Sequence, residues 1–469
     1  MSAVKILKKQ PQEKKESGEI PLSKVLICAL LFLVALSLFL RLYHIDYMEF
    51  KHDEALNSFK AATLAKEGLI PLSSGASSTG ITEPPIFMYL LAVPFLFTGS
   101  PVGAAAYIAL WNVAGIVLAF FFAKMYFGIR GAFMATALYA VNPWQVLFSR
   151  KIWTQNLLAP FVILFLFFLF LSLFKKRSKW IIIAGLVLGI VLQLHMSAAY
   201  ALPVVAILVW IRRKQVNASH LSAAVILMLL AFFPYILLQA RADFSDLRTA
   251  MLVIQKESTF HLDATTLLFQ IFTTWGFDYS LGRSFSAFEA EIFRLKIVDM
   301  TAIGIFIFSL VTGAFFRKRE YLYLLAWVAG GMLFLFIVKT PLAIHYFLSL
   351  FPVCFLLLGA TLDWIASLFK SRYAAWGVYL LVGLITLYQF AFTLNFLNFV
   401  KKTSCIHGDY GPPYAYHVKR VQEVIDHYGR PRSIQDLNRI HQASVYCEKC
   451  DYVATAFITK YLTLEQSSR

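Results

Sequence analysis

The chain has 469 residues, of which 59% are hydrophobic and only 15% charged, with a mean hydropathy of +0.67. Soluble domains carry about 25% charged residues; here the apolar excess is gathered into repeated long runs, so the sequence is that of a polytopic membrane protein. A net charge of +17 would suit a nucleic-acid binder, but the basic residues fall in short clusters at alternate ends of the apolar runs. That is an insertion signal, and nucleic-acid binding has no support.

The chain opens with a basic tail, 1–24, carrying Lys5, Lys8, Lys9, Lys14, Lys15 and Lys24. This tail is long for a cleaved leader and the run after it lacks a small-residue cleavage site, so it reads as an anchor. Eleven spans are expected, at 25–42, 103–123, 131–148, 157–174, 180–196, 198–211, 220–239, 298–316, 321–338, 343–362 and 374–394. With that count the tail, Lys124/Arg130, "KKRSK" 175–179, "RRK" 212–214, "RKR" 317–319 and Lys370/Arg372 all face one side, which is the cytoplasm. "PPIFMYLLAVPFLFTG", 84–99, is apolar but short and interrupted by Pro94, so it is expected to lie in the interface as a juxtamembrane helix. The fold class is an all-α membrane domain over 25–395.

Three extracytoplasmic pieces follow from this topology: a first loop at 43–102, a large loop at 240–297, and a tail at 396–469. In the tail, "YHVKRVQEVIDHYG" (416–429) reads as a helix ended by Gly429 and Pro431, and "DYVATAFITKYL" (451–462) as a strand, giving a small α/β appendage. Cys447 and Cys450 can pair with each other, or one of them with Cys405; a zinc site using both with His407 or His441 is the alternative.

Chemistry-bearing residues gather on that same side. From Asp53, "DEALNSFKAATLAKEG" has helical character and ends at Gly68, which puts Asp53 and Glu54 in the first turn. Two acids there are commonly only a favourable helix start, worth a few tenths of a kcal/mol. The other reading is a carboxylate at the water–lipid boundary that takes a proton from an acceptor. "TEPP" (82–85) adds Glu83; "NPWQVLFSRKIWTQNLLAPF" (142–161) adds Arg150, Lys151, Gln155 and Asn156; "KTPLAIHYFLSLFP" (339–352) adds Lys339, His345 and Tyr346. Cations at an outer interface run against the positive-inside trend, and a lipid-borne phosphate is one reason to keep them; anchoring of helix ends is the other.

Taken in order, "DEA" in the first loop, "EPP" opening an apolar helix, "P…SR…N" after the third span and "HYF…P" late in the chain resemble the GT-C superfamily. The likeness is to polytopic transferases related to protein O-mannosyltransferases and lipid A aminoarabinose transferases (glycosyltransferase family 39-like), over about 25–360. It implies a sugar donor on a polyprenyl phosphate, transfer with inversion outside the cytoplasm, and an integral plasma (bacterial inner) membrane protein whose N-terminus is cytoplasmic. Carried over, Asp53 is the general base or orients the acceptor, with Glu54 its neighbour. Arg150 lies near the donor phosphate, and His345–Tyr346 stand where many relatives have Arg–Tyr. Glu83 replaces a Lys or His and Asn156 an Asp, so the phosphate grip passes to Lys339, Arg150 or Lys151, and transfer without a bound metal is the expectation. The acceptor (protein, lipid or glycan) is left open.

A sugar phosphate already has its leaving group, so such an enzyme must hold the acceptor, accept one proton and steady the departing phosphate. The alternative class is a transporter or lipid-linked sugar flippase. Those often carry internal repeats and midplane polar groups; the sequence shows no repeat, and its polar residues gather at one face.

Overall fold

The computed structural model describes residues 23–467 apart from 78, 256–259, 314–317 and 339, so most of the basic tail, Arg317 and Lys339 lie outside the described residues. The rest is helical almost throughout. Helices Lys24–Leu42, Pro101–Phe127, Leu158–Phe174, Lys296–Gly313, Arg319–Ile337, Phe351–Leu368 and Arg372–Lys402 form the long members of the bundle. Among the described residues, seven helices are long and apolar enough to cross a membrane, or eight if Ala218–Ala231 and Phe233–Arg241, bent by 53°, form one span. Pro234 stands just beyond that bend and removes a backbone donor, which accounts for it.

The expected count of eleven is therefore not reached on length. Ile129–Val141, Trp180–Leu194 and Met196–Ile211 are apolar but shorter than the others. The predicted 131–148 run breaks because Asn142 caps a new turn, its Oδ1 accepting from Gln145 N at 3.0 Å ahead of which stands Pro143. The predicted 343–362 run starts late: Pro352 occupies the first turn of Phe351–Leu368, and 344–347 is a separate 3₁₀ turn. This leaves His345 and Tyr346 outside the helix. Ile86–Phe95 is a ten-residue helix. At 1.5 Å per residue it falls well short of the roughly 30 Å hydrocarbon core, as its reading as a juxtamembrane helix requires.

The core sits where Phe351–Leu368 and Leu158–Phe174 run through the bundle; Lys24–Leu42 packs on its outside. Phe351–Leu368 meets Ile129–Val141 at a glycine contact: a Cβ on Gly359 would stand 2.4 Å from the Gly131 carbonyl oxygen. Small residues at such crossings let two backbones approach.

The tail differs from the expected α/β appendage. Its described residues form three helices, Tyr414–Tyr428, Ile434–Ser444 and Tyr452–Ser467, with only an isolated bridge between Pro413 and Glu49. The predicted strand is a helix because Asp451 Oδ1 accepts from Val453 N at 2.8 Å, and because Ala454, Phe457 and Ile458 bury one helical face. The β-branched alternation that suggested a strand is overridden by this packing. The tail also docks on the large loop through two glycines. A Cβ on Gly282 would lie 2.1 Å from the His407 carbonyl, and one on Gly408 would lie 2.3 Å from Gly282 N. Asp409 N and Tyr410 N then donate to the carbonyls of Tyr279 and Ser280 at 3.1 and 2.9 Å.

Candidate active site

The first-loop helix, His52–Glu67, starts with its acids in the first turn and ends at Gly68, whose φ of +69° suits glycine. Its helical spacing puts Asp53, Asn57 and Lys60 on one face. Asp53 and Asn57 look into a cavity of about 570 Å³ whose other walls come from distant segments. One wall is a two-stranded hairpin, Gly75–Ala76 with Thr82–Glu83, in which Glu83 stands opposite Gly75. Others are Trp153–Gln155, the end of the Trp180–Leu194 helix with His195, the bend at Phe232, and His345–Tyr346.

Asp246 ties these walls together. Its carboxylate accepts from Thr82 Oγ1 at 3.1 Å, Tyr235 OH at 2.7 Å and Gln239 Nε2 at 2.6 Å. One buried acid of the large loop thus fixes both the hairpin and the bent helix.

Asp53 is exposed to the cavity, and Glu83 faces it. Burial, then the charge of Asp53, pushes the Glu83 carboxyl above the ordinary carboxylate value. Behind them Lys60 Nζ donates to the Ser74 carbonyl at 2.5 Å. Burial lowers this ammonium from its ordinary value, against an opposing pull from Glu83. Two imidazoles complete the far wall. Burial takes His195 down to about 4; burial and then His195 take His345 down to about 3, so both are neutral at neutral pH. His195 Nδ1 accepts from Ser197 N at 3.2 Å. A backbone N–H can only donate, so the His195 proton is on Nε2. His345 packs edge-on against Trp153, centroids 5.4 Å apart, and beside Tyr346 at 4.7 Å.

Glu54 turns away from the cavity. It is fully buried, its Oε2 accepts from Lys51 N at 2.9 Å, and its Oε1 lies 3.7 Å from Lys151 Nζ. It belongs to an ion cluster beneath the cavity floor. Glu49 Oε1 bridges Lys51 Nζ at 2.6 Å and Lys151 Nζ at 2.7 Å, and Asp409 lies 3.3 and 3.8 Å from the same two cations. Lys51 Nζ also donates to the Asp409 carbonyl. Lys151 Nζ sits 3.1 Å from the centroid of Trp153, which itself lines the cavity. Burial raises Asp409, but Lys151 and Lys51 outweigh it and hold the carboxyl below its ordinary value.

Burial carries Glu54 the other way, to about 7, against the opposing charge of Lys151. A carboxyl raised in the folded state stabilises most when protonated. Its contribution is full below the ordinary 4.5 and is lost as pH rises to about 7. Glu54→Gln is neutral at every pH, so its unfolding temperature is expected to decline less steeply across that window than the native protein's, with Glu83 still contributing. Parallel slopes would remove Glu54 as a titrating group.

The remaining predicted positions are placed as follows. Arg150 does not reach the cavity: its buried guanidinium donates to the carbonyls of Leu40, Arg41, Tyr43 and His44 at 3.1, 3.1, 2.7 and 2.7 Å. The carbonyls of Leu40 and Arg41 are among the last of Lys24–Leu42, which have no partners within the helix, and those of Tyr43 and His44 belong to the cap and the turn that follow. The expected phosphate contact of Arg150 gives way to this capping role. Lys151 is held by the ion cluster. Asn156 is buried, with Nδ2 donating to the Lys151 carbonyl at 2.8 Å, and it supports that loop. Glu83, His345 and Tyr346 do share the cavity with Asp53.

Sequence reasoning missed Lys60, His195, Asp246 and Asp409. Lys60 was recoverable from its two-turn spacing to Asp53; Asp409 carries no local signal at all. Cys447 pairs with Cys405, S–S 2.04 Å, and Cys450 is free, so the zinc alternative loses a ligand. No group of three metal-binding side chains occurs among the described residues.

Residues 82–237 match the family described as dolichyl-phosphate-mannose-protein mannosyltransferase. Comparison with curated proteins gives no match. The fold resembles ArnT from Cupriavidus metallidurans in the apo state, with a TM-score of 0.62 at 15% identity over 95% of this chain and 89% of that one. The same protein bound to undecaprenyl phosphate gives 0.57 at 16% identity, over 94% and 78%. The apo oligosaccharyltransferase of Archaeoglobus fulgidus gives 0.50 at 11% identity, over 88% and 59%. The family match covers about a third of the chain, and the likeness to these solved structures is one of fold.

Proposed function

We propose that the protein transfers a sugar from a polyprenyl-phosphate donor to a hydroxyl of an extracytoplasmic acceptor, with the N-terminus cytoplasmic. The observation that carries this reading is the cavity: Asp53, free of the ion cluster, opens into a space bounded by helix ends of the bundle. The solved ArnT with undecaprenyl phosphate bound supports the donor class. In the reaction the acceptor oxygen attacks the anomeric carbon as the bond to the phosphate oxygen breaks on the opposite face, which inverts that centre. Asp53 takes the acceptor proton, and polyprenyl phosphate leaves with the bonding electrons. Lys60, the His195 Nε2–H and Tyr346 are the described groups proposed to steady that phosphate, with Lys339 from beyond the described residues. The reaction as proposed needs no metal.

The test is incubation of the purified full chain with a panel of polyprenyl-phosphate hexoses and pentoses and an envelope extract as acceptor. The expected result is release of polyprenyl phosphate matched by sugar on the acceptor. Movement of the intact lipid-linked sugar across sealed vesicles, without release, would instead establish a flippase.

A further inference from the structure

The first-loop helix has a second face, turned away from the cavity. There a groove of about 260 Å³ runs between this helix and the tail helix Tyr452–Ser467, lined by Phe59, Lys66, Glu67, Gly99, Phe457 and Lys460 among others. The floor is aromatic. Phe457 lies 6.4 Å from Phe59, and Lys460 Nζ stands 4.6 Å above the Phe59 ring. The two lysine side chains are exposed, and neither has a carboxylate within ion-pair distance among the described residues.

The groove's height relative to the bilayer follows from the chain. Gly99 lies two residues before Pro101, where a span of 27 residues begins. Next to it Leu96 and Phe97 are 63% and 85% exposed, continuing the apolar helix Ile86–Phe95. Side chains of that kind at a span's end face lipid rather than water. Two cations, an aromatic floor and an apolar lip at the hydrocarbon boundary together match an amphiphile with a negative head. Glu67 leaves a net single positive charge, which suits a phosphodiester.

We infer that this groove seats the phosphate headgroup of an anionic membrane phospholipid, with its acyl chains along Leu96 and Phe97. The bound lipid joins the tail helix to the first loop on the side opposite the catalytic cavity. This inference does not rest on the transferase reading, because it concerns a separate surface and is tested without turnover.

The full chain is exchanged into mixed phosphatidylglycerol and phosphatidylcholine nanodiscs, released into detergent, and its retained lipid counted by native mass spectrometry. The native protein is expected to keep phosphatidylglycerol in preference to phosphatidylcholine. The Lys66→Ala/Lys460→Ala variant should lose about tenfold of that retention, and Lys66→Arg/Lys460→Arg should keep it. Equal retention of the two lipids by the native protein overturns the inference without need of any variant. Equal retention by the alanine variant overturns it too, and so does displacement of the lipid by millimolar inorganic phosphate, which would make the site one for a free anion.

Discussion

Asp53→Asn is expected to lower sugar transfer by about 10²- to 10⁴-fold, the usual contribution of a positioned general base. The amide keeps the shape and the helix-start position but cannot take a proton at any pH, so raising the pH should not restore the rate. Because Asp53 is exposed and stands apart from the ion cluster, the variant should unfold at the native temperature. Initial rates and a thermal melt on the same preparation check both halves. An Asn variant keeping more than about a tenth of the native rate would reduce Asp53 to a helix-start acid. Glu83→Gln is the natural comparison. Glu83→Gln leaves Asp53 in place as the proton acceptor, so this variant should keep a measurable rate where Asp53→Asn loses it.

The second large effect concerns stability. Lys151→Met should destabilise the protein by about 3–5 kcal/mol, because it leaves buried carboxylates short of a cation. Glu49 would keep Lys51 at 2.6 Å, but Glu54 would lose the cation at ion-pair distance and Asp409 one of its two. Removing charge on both sides restores the balance: Lys151→Met/Glu49→Leu leaves Lys51 with Asp409 and is expected to recover much of the loss. The four corners of this cycle, read by unfolding in detergent, give the coupling directly. A Lys151→Met melt within about 1 kcal/mol of native would show that water already reaches the cluster.

The mostly helical, apolar character of the chain and the grouping of Asp53 with Glu83, His345 and Tyr346 were legible in the sequence, because hydropathy and helix periodicity are local signals. What was not legible depends on contacts between distant segments. Arg150 looks the same in sequence whether it holds a phosphate or four backbone carbonyls at and just beyond a helix end; only the position of Leu40–His44 decides. Glu54 follows Asp53 by one residue, yet 100° of helix rotation sends one acid to the cavity and the other into the ion cluster. The tail helix Tyr452–Ser467 shows the same limit, since its β-branched alternation was outweighed by a face buried against the first-loop helix and the two other tail helices.

The Asp409 contact has a consequence for when the protein becomes active. Trp153 in the cavity wall is backed by Lys151, and Lys151 and Lys51 are neutralised in part by a residue that emerges after the last long helix, Arg372–Lys402. Until residues 403–413 have docked on Gly282, a membrane-inserted chain has all its lining residues but an ion cluster with one acid missing. Biogenesis thereby gains an order: the bundle can form helix by helix during synthesis, but the candidate site closes last.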